Sequence, residues 1–257
     1  MQSAIDYNVS LGFGLMLQGP PKSGKTVLTG QFAHEPDGGV WFADCDNNLA
    51  GPIRFWRERM PEKMKHIYYD TINVGESGII DASARWERLL KRTNIALAEK
   101  KIKTIVWDGL SSISDYLISH IVAAKPGDRE KHMTISDWQP FRSILSKAIV
   151  DIRAIGKTTG KLFIMTAHDE VNKDDATGAL LITPNIPSKL AGNIGGFFSD
   201  VWHSESSEEK DGTLTYKVRT MPRGMIPSLG NSLNLPKEMV FKWEEFSKHL
   251  YKYEQPK

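Results

Sequence analysis

The chain has 257 residues, 40% hydrophobic and 25% charged, with a formal net charge of +2. That length suits one α/β domain of ordinary size, and so small a net charge makes no electrostatic case for nucleic acid by itself. The single cysteine, Cys45, excludes an internal disulfide framework and a cysteine-based zinc cluster; with no bilayer-length apolar stretch and no signal-like N-terminus, a cytoplasmic enzyme is expected.

Residues 13–18 form a short apolar run that stops at a Gly-Pro break, the pattern of a buried strand. It leads into Gly19-Pro20-Pro21-Lys22-Ser23-Gly24-Lys25-Thr26, which fits the phosphate-binding pattern G-x-x-x-x-G-K-[ST]. In such a loop the glycines let successive N–H groups turn inward towards phosphate oxygens, and the helix that follows adds its positive end. Gly19, Pro20, Pro21, Lys22, Ser23, Gly24, Lys25, Thr26 and Val27 are therefore the candidate nucleotide-binding segment. Lys25 is placed to reach the β- and γ-phosphates of ATP, and the Thr26 hydroxyl to hold Mg²⁺. A chance match arises in roughly one chain in a hundred of this length, and the flanking strand and helix lower that further. The bland alternative is a Gly/Pro-rich surface turn. The helix spans residues 26–32 and ends near Glu35-Pro36-Asp37-Gly38-Gly39, which is turn chemistry.

A strand over residues 40–44 ends in two carboxylates, Asp44 and Asp46. Either could orient or deprotonate a water near a γ-phosphate; strand alternation puts both on one side, and a helix-capping loop is the plain alternative. Positive charge concentrates over residues 52–103, among them Arg54, Arg57, Arg88 and Lys101, where solvated helix faces are the simple reading. After a strand at 66–69, Trp86, Leu89, Leu90, Thr93 and Leu97 recur at helical spacing. The next apolar strand, 103–107, is followed by Asp108; downstream of a phosphate loop, an acid there holds the Mg²⁺ water shell beside the loop hydroxyl.

Two further helical stripes follow, Ile113, Tyr116, Leu117 and Ile121, then Phe141, Leu145, Ala148, Ile152 and Ile155. Strands are expected at 161–166, 199–203 and 214–220. Residues 124–137 and 169–193 look loose. Trp138 and Phe141 beside the first of these could stack bases, although their spacing favours core burial. The alternation of strands and helices predicts an α/β fold, a mainly parallel central sheet with helices on both faces.

The order of these motifs resembles the RecA-like P-loop ATPase core, over about residues 11–225 with a C-terminal extension at 226–257. Phe42-Ala43-Asp44-Cys45-Asp46 is similar to the family segment ending in Asp-x-Glu, which puts Asp46 at the catalytic glutamate position, one methylene shorter. Lys161-Leu162-Phe163-Ile164-Met165-Thr166-Ala167-His168 resembles the sensor strand, with His168 as the polar group that feels the γ-phosphate, and the loop from Asp169 to about Asn193 resembles the DNA-contacting loop. Arg219 and Arg223 stand where such subunits offer cations to a neighbour's ATP. The short chain is most similar to phage RecA-like single-strand annealing recombinases. That resemblance implies a Mg²⁺- and ATP-dependent ATPase that binds single-stranded DNA, assembles as a homo-oligomer in a ring or filament, cooperates with a single-strand-binding protein and works in a bacterial host's cytoplasm. Loop 169–193 has no basic funnel, with Asp169, Glu170, Asp174 and Asp175 against Lys173 and Lys189. An ATPase or kinase acting on a non-DNA substrate, or a nucleotide-dependent binding module with little hydrolysis, are the alternatives.

Overall fold

The computed structural model describes residues 12–34, 38–125, 132–173, 177–187, 189–209, 212, 214–227 and 229–252. β1 (Gly14–Gly19) leads into α1 (Lys25–Gly30), and β2 (Gly39–Asp44) into α2 (Ala50–Arg59) and the single-turn α3 (Pro61–Met64). β3 (Ile67–Thr71) precedes a small hairpin of β4 (Val74–Gly75) and β5 (Gly78–Ile79), then α4 (Arg85–Ala98). β6 (Ile102–Asp108) feeds α5 (Leu110–Ala123), and α6 (Trp138–Thr159) feeds β7 (Leu162–Lys173). β8 (Leu180–Pro184), β9 (Asp200–Glu208), β10 (Leu214–Arg219), β11 (Glu238–Met239) and α7 (Trp243–Leu250) complete the order.

The main sheet runs β11-β10-β9-β1-β7-β6-β2-β3. Pairing is parallel from β9 through β3 and antiparallel at β9–β10 and β10–β11. Alternation along the central strands divides their side chains between two cores. Leu15, Leu17, Val40, Phe42, Val106 and Ile164 pack with Leu28 of α1, Phe32 just beyond it, Trp56 of α2 and Phe246 and Leu250 of α7. Met16, Trp41, Ala43, Ile105, Trp107 and Phe163 point the other way, onto Trp86 and Leu89 of α4, Ile113 and Leu117 of α5 and Phe141 and Leu145 of α6. The result is the expected α/β architecture, with helices against both faces of a mostly parallel sheet. Among the described residues, no helix is long and apolar enough to cross a membrane.

All seven expected strands form, with shifted ends. Residues 169–193 are not one loose stretch: β7 continues past the sheet and pairs with β8, Val171 opposite Ile182 and Lys173 opposite Leu180. Ile182 and Thr183 favour extended backbone and cross-strand pairing rewards the segment, but Leu180-Leu181-Ile182 is a short apolar run without alternation, so its strand character does not stand out in sequence. In α6 the buried stripe is Phe141, Leu145, Ile149, Ile152 and Gly156. Over 22 residues the 3.6 repeat carries the face to Gly156, and Ile155 is exposed. The other supposedly loose stretch ends in a capped turn, Thr134 and Asp137 bonding reciprocally ahead of α6. The expected turn at Glu35, Pro36 and Asp37, the middle of 124–137, and Asp174 and Asp175 lie outside the described residues.

Candidate functional site

The carboxyl ends of β1, β6 and β7 meet in one cleft of about 410 Å³, whose lining includes Lys22, Lys25, Thr26, Asp46, Asp108, Thr166, His168 and Tyr216. Proximity follows from sheet order. β7 lies between β1 and β6, with Gly19 level with His168 and Trp107 with Met165, so the loop after β1 faces the ends of both other strands.

The loop enters α1 through Gly24, whose φ of 88° lies in the left-handed region and whose absent Cβ would sit 2.2 Å from Tyr216 Cδ1. Lys22, at φ 63°, forms the exposed tip. Lys25 is buried, and its Nζ donates to the carbonyls of Gly19 and Pro20 at 2.8 Å each, with His168 Nδ1 at 3.3 Å. Burial pushes its pKa down to about 8, opposed by Asp108, Asp169 and Asp46. An ammonium only donates, so Nδ1 of His168 is the acceptor and a neutral ring carries its proton on Nε2. Burial, and then the Lys25 charge, hold that imidazole below its usual pKa. Nε2 faces Asp46 Oδ2 at 3.9 Å, beyond hydrogen-bond reach.

Asp108 ends β6 and is buried. Thr26 Oγ1 donates to its Oδ2 at 2.9 Å, and Thr166 Oγ1 to its Oδ1 at 2.6 Å, while Thr166 Oγ1 accepts from the Gly109 N–H at 2.9 Å. Burial lifts the Asp108 carboxyl to about 6, and the two hydroxyls pull it back. A threonine hydroxyl beside a carboxylate is a hard-oxygen donor pair of the kind Mg²⁺ takes. Among the described residues, no group of three or more His, Cys, Asp or Glu could hold a metal ion, so the remaining ligands would come from phosphate and water.

Asp44 and Asp46 do not share one role, contrary to simple alternation. β2 stops at Asp44, and Asn47 turns the chain at φ 53°. Asp44 is buried and accepts the Asn48 N–H at 3.1 Å, which is a loop-bracing function; burial raises its pKa. Asp46 lines the cleft and accepts Ser112 Oγ at 2.5 Å. It fits there because Gly109, at φ 106°, has no Cβ; one would lie 2.3 Å from Asp46 Oδ1.

Arg219 and Arg223 lie outside the cleft lining. Arg219 is buried, donating through Nε to Glu205 at 3.0 Å and through Nη2 to Glu238 at 2.8 Å. Its charge is matched within its own chain. Arg223 is exposed on a tight turn whose backbone bonds Ile226. Phe141 is wholly buried, so it offers no face to a base, while half-buried Trp138 shares a shallow groove with Arg142 and Lys189. Part of the basic stretch at 52–103 is engaged: Lys63 pairs with Glu244, Lys65 with Glu62 and Arg92 with Asp70, and Lys101 sits over the Tyr68 ring.

Sequence reasoning assigned no site role to Ser112, Thr166, Leu214 or Tyr216. Thr166 lies within the sensor-like strand but was not singled out there; Leu214 and Tyr216 reach the cleft from a strand remote in sequence, and Ser112 acts through its bond to Asp46. Comparison with known protein families finds no match to this chain, and comparison with curated proteins finds none either.

Proposed function

We propose that this chain is a Mg²⁺-dependent, RecA-like P-loop ATPase that acts on single-stranded DNA in annealing or strand exchange, working as a homo-oligomer. The observation that supports it most is the meeting of Lys25, Thr26 and Asp108 in one cleft, the hydroxyl of one motif donating to the carboxylate of another 82 residues away. Lys25 and the N–H groups of residues 22–26 bind and orient the phosphate tail; Thr26 and Asp108 hold Mg²⁺. Bound there, the metal offsets negative charge that develops on the phosphoryl oxygens. Asp46, steadied by Ser112, accepts the proton of the attacking water, and its 3.9 Å separation from His168 leaves that ring free to donate through Nε2. Of the two arginines, the exposed Arg223 rather than the buried Arg219 is available to a neighbouring subunit.

For DNA, the support is the groove that sets Trp138 beside Arg142 and Lys189, an aromatic and two cations of the kind single strands use. The test is ATP turnover with and without single-stranded DNA, read alongside particle size. Faster turnover and larger particles are expected, with binding that weakens steeply as salt rises. Unchanged turnover with no retained oligonucleotide at low salt defeats the DNA assignment. One observation favours a different substrate: the hairpin that follows His168 opens with Asp169 and Glu170, and Lys173 is the basic residue of its described strands. A phosphorylated small molecule found in a product screen would establish that reading instead.

A further inference from the structure

The cleft lining falls into two chemically different sets. One comprises Lys25, Thr26, Asp46, Asp108 and His168; the other comprises Leu214, Tyr216, Pro52 and Gly51. A phosphate tail satisfies the first and makes no use of the second. A volume of about 410 Å³ sits within the roughly 300–1,000 Å³ of sites that enclose whole small molecules.

The apolar part of the lining is a continuation of the core. Leu214, Tyr216 and Val218 alternate along β10 and so share a face. Val218 is buried against the α1–α2–α7 core, Tyr216 is half covered, and Leu214 stands 48% exposed at the cleft. The row therefore emerges from the protein interior into the cleft, leaving apolar surface uncovered beside the phosphate loop. Tyr216 is also fixed in position. Its ring rests on Gly24, where any side chain would collide, and Phe55 of α2 packs edge-on to it with centroids 5.9 Å apart. An aromatic ring braced by Gly24 and Phe55 that still lines the cleft beside the anion-binding groups is suited to meet a planar base through its remaining surface.

We infer that β10 supplies the nucleoside subsite: Tyr216 packs against the base, with Leu214 and Pro52 completing an apolar wall. The inference rests on the phosphate-loop reading above and extends it to the other half of the ligand. It also gives β10 a ligand contact within its own subunit, distinct from any cation offered to a neighbour.

The test compares ATP with inorganic tripolyphosphate, both in Mg²⁺, by titration calorimetry on wild type, Tyr216→Ala and Tyr216→Phe. Tyr216→Ala is expected to bind ATP roughly tenfold more weakly than wild type and tripolyphosphate equally well. Tyr216→Phe keeps the ring and is expected to keep wild-type affinity for both. Parallel loss of ATP and tripolyphosphate in Tyr216→Ala would make the tyrosine a prop for Gly24 and overturn the subsite; unchanged ATP affinity would overturn it too. A wild-type protein that binds tripolyphosphate and ATP with equal affinity leaves the phosphate loop standing but removes the nucleoside subsite. Binding of neither ligand defeats the phosphate-loop reading itself.

Discussion

Replacing Lys25 by methionine separates what this side chain does for a ligand from what it costs the fold. The side chain is 6% exposed, and burial takes its pKa from the usual 10.5 to about 8. At about 1.4 kcal/mol per tenfold, keeping the ammonium charged at pH 7 disfavours the metal-free fold by about 3 kcal/mol. Methionine fills similar space without charge. It leaves the carbonyls of Gly19 and Pro20 without the donor each now has at 2.8 Å, which costs about 1 kcal/mol apiece. Lys25→Met should therefore stabilise the protein in EDTA by about 1 kcal/mol, a Tm rise of about 2–4 °C at this chain length. The same variant should lose nucleotide binding, so Mg²⁺ and ATP at a hundredfold over Kd, worth about 2.7 kcal/mol to the wild type, should leave its Tm unmoved. The folded pKa lies below the unfolded one, so the unfolded chain holds more protons between about pH 8 and 10.5. Wild-type stability in EDTA should rise across that window relative to the variant's. Urea unfolding at pH 7 and pH 10, with calorimetric titration of ATP at pH 7, measures all three effects. A variant destabilised by more than about 1 kcal/mol, with the wild-type pH dependence, would refute the desolvation reasoning; retained ATP affinity would refute the assignment of Lys25 to phosphate.

Thr166→Val removes the hydroxyl that both donates to Asp108 and accepts from Gly109; urea unfolding should show a loss of about 1–3 kcal/mol, and a Mg²⁺ titration should show weaker metal dependence of ATP affinity. Asp46→Asn should cut turnover by about a hundredfold or more with ATP affinity retained, whereas Asp44→Asn should act on stability through the Asn48 N–H it braces; unchanged turnover in Asp46→Asn removes it as the base. Phe246 of α7 is fully buried among Phe13, Phe32, Trp202, Phe241 and Trp243. Phe246→Ala should lower the unfolding free energy by about 3–5 kcal/mol, and a loss under 1 kcal/mol would mean α7 is not part of the core.

Much of the framework is local and so readable along the chain. The stripe Trp86, Leu89, Thr93 and Leu97 faces the core because helical spacing puts these residues on one side. α7 escapes such a reading: eight residues give few repeats, and Trp243, Phe246 and Leu250 acquire meaning only against Phe32 and Trp202. The β7–β8 hairpin escapes for a related reason, since its strands gain stability from each other rather than from a buried stripe of their own.

The candidate site divides along the same line. The octapeptide proposed to wrap a phosphate tail is contiguous, so its glycines, lysine and threonine can be read in sequence, as can a strand that ends in Asp108. Which distant groups meet them was decided by tertiary structure. Placing β7 between β1 and β6 brings Thr166 to Asp108 and His168 to Lys25; the end of β2 turns Asp46 into the cleft and Asp44 away from it; and β10 neutralises Arg219 against Glu205 and Glu238 while resting Tyr216 on Gly24. Strand order and side-chain pairing depend on how separate segments pack against one another, and a one-dimensional pattern of residue types does not encode that.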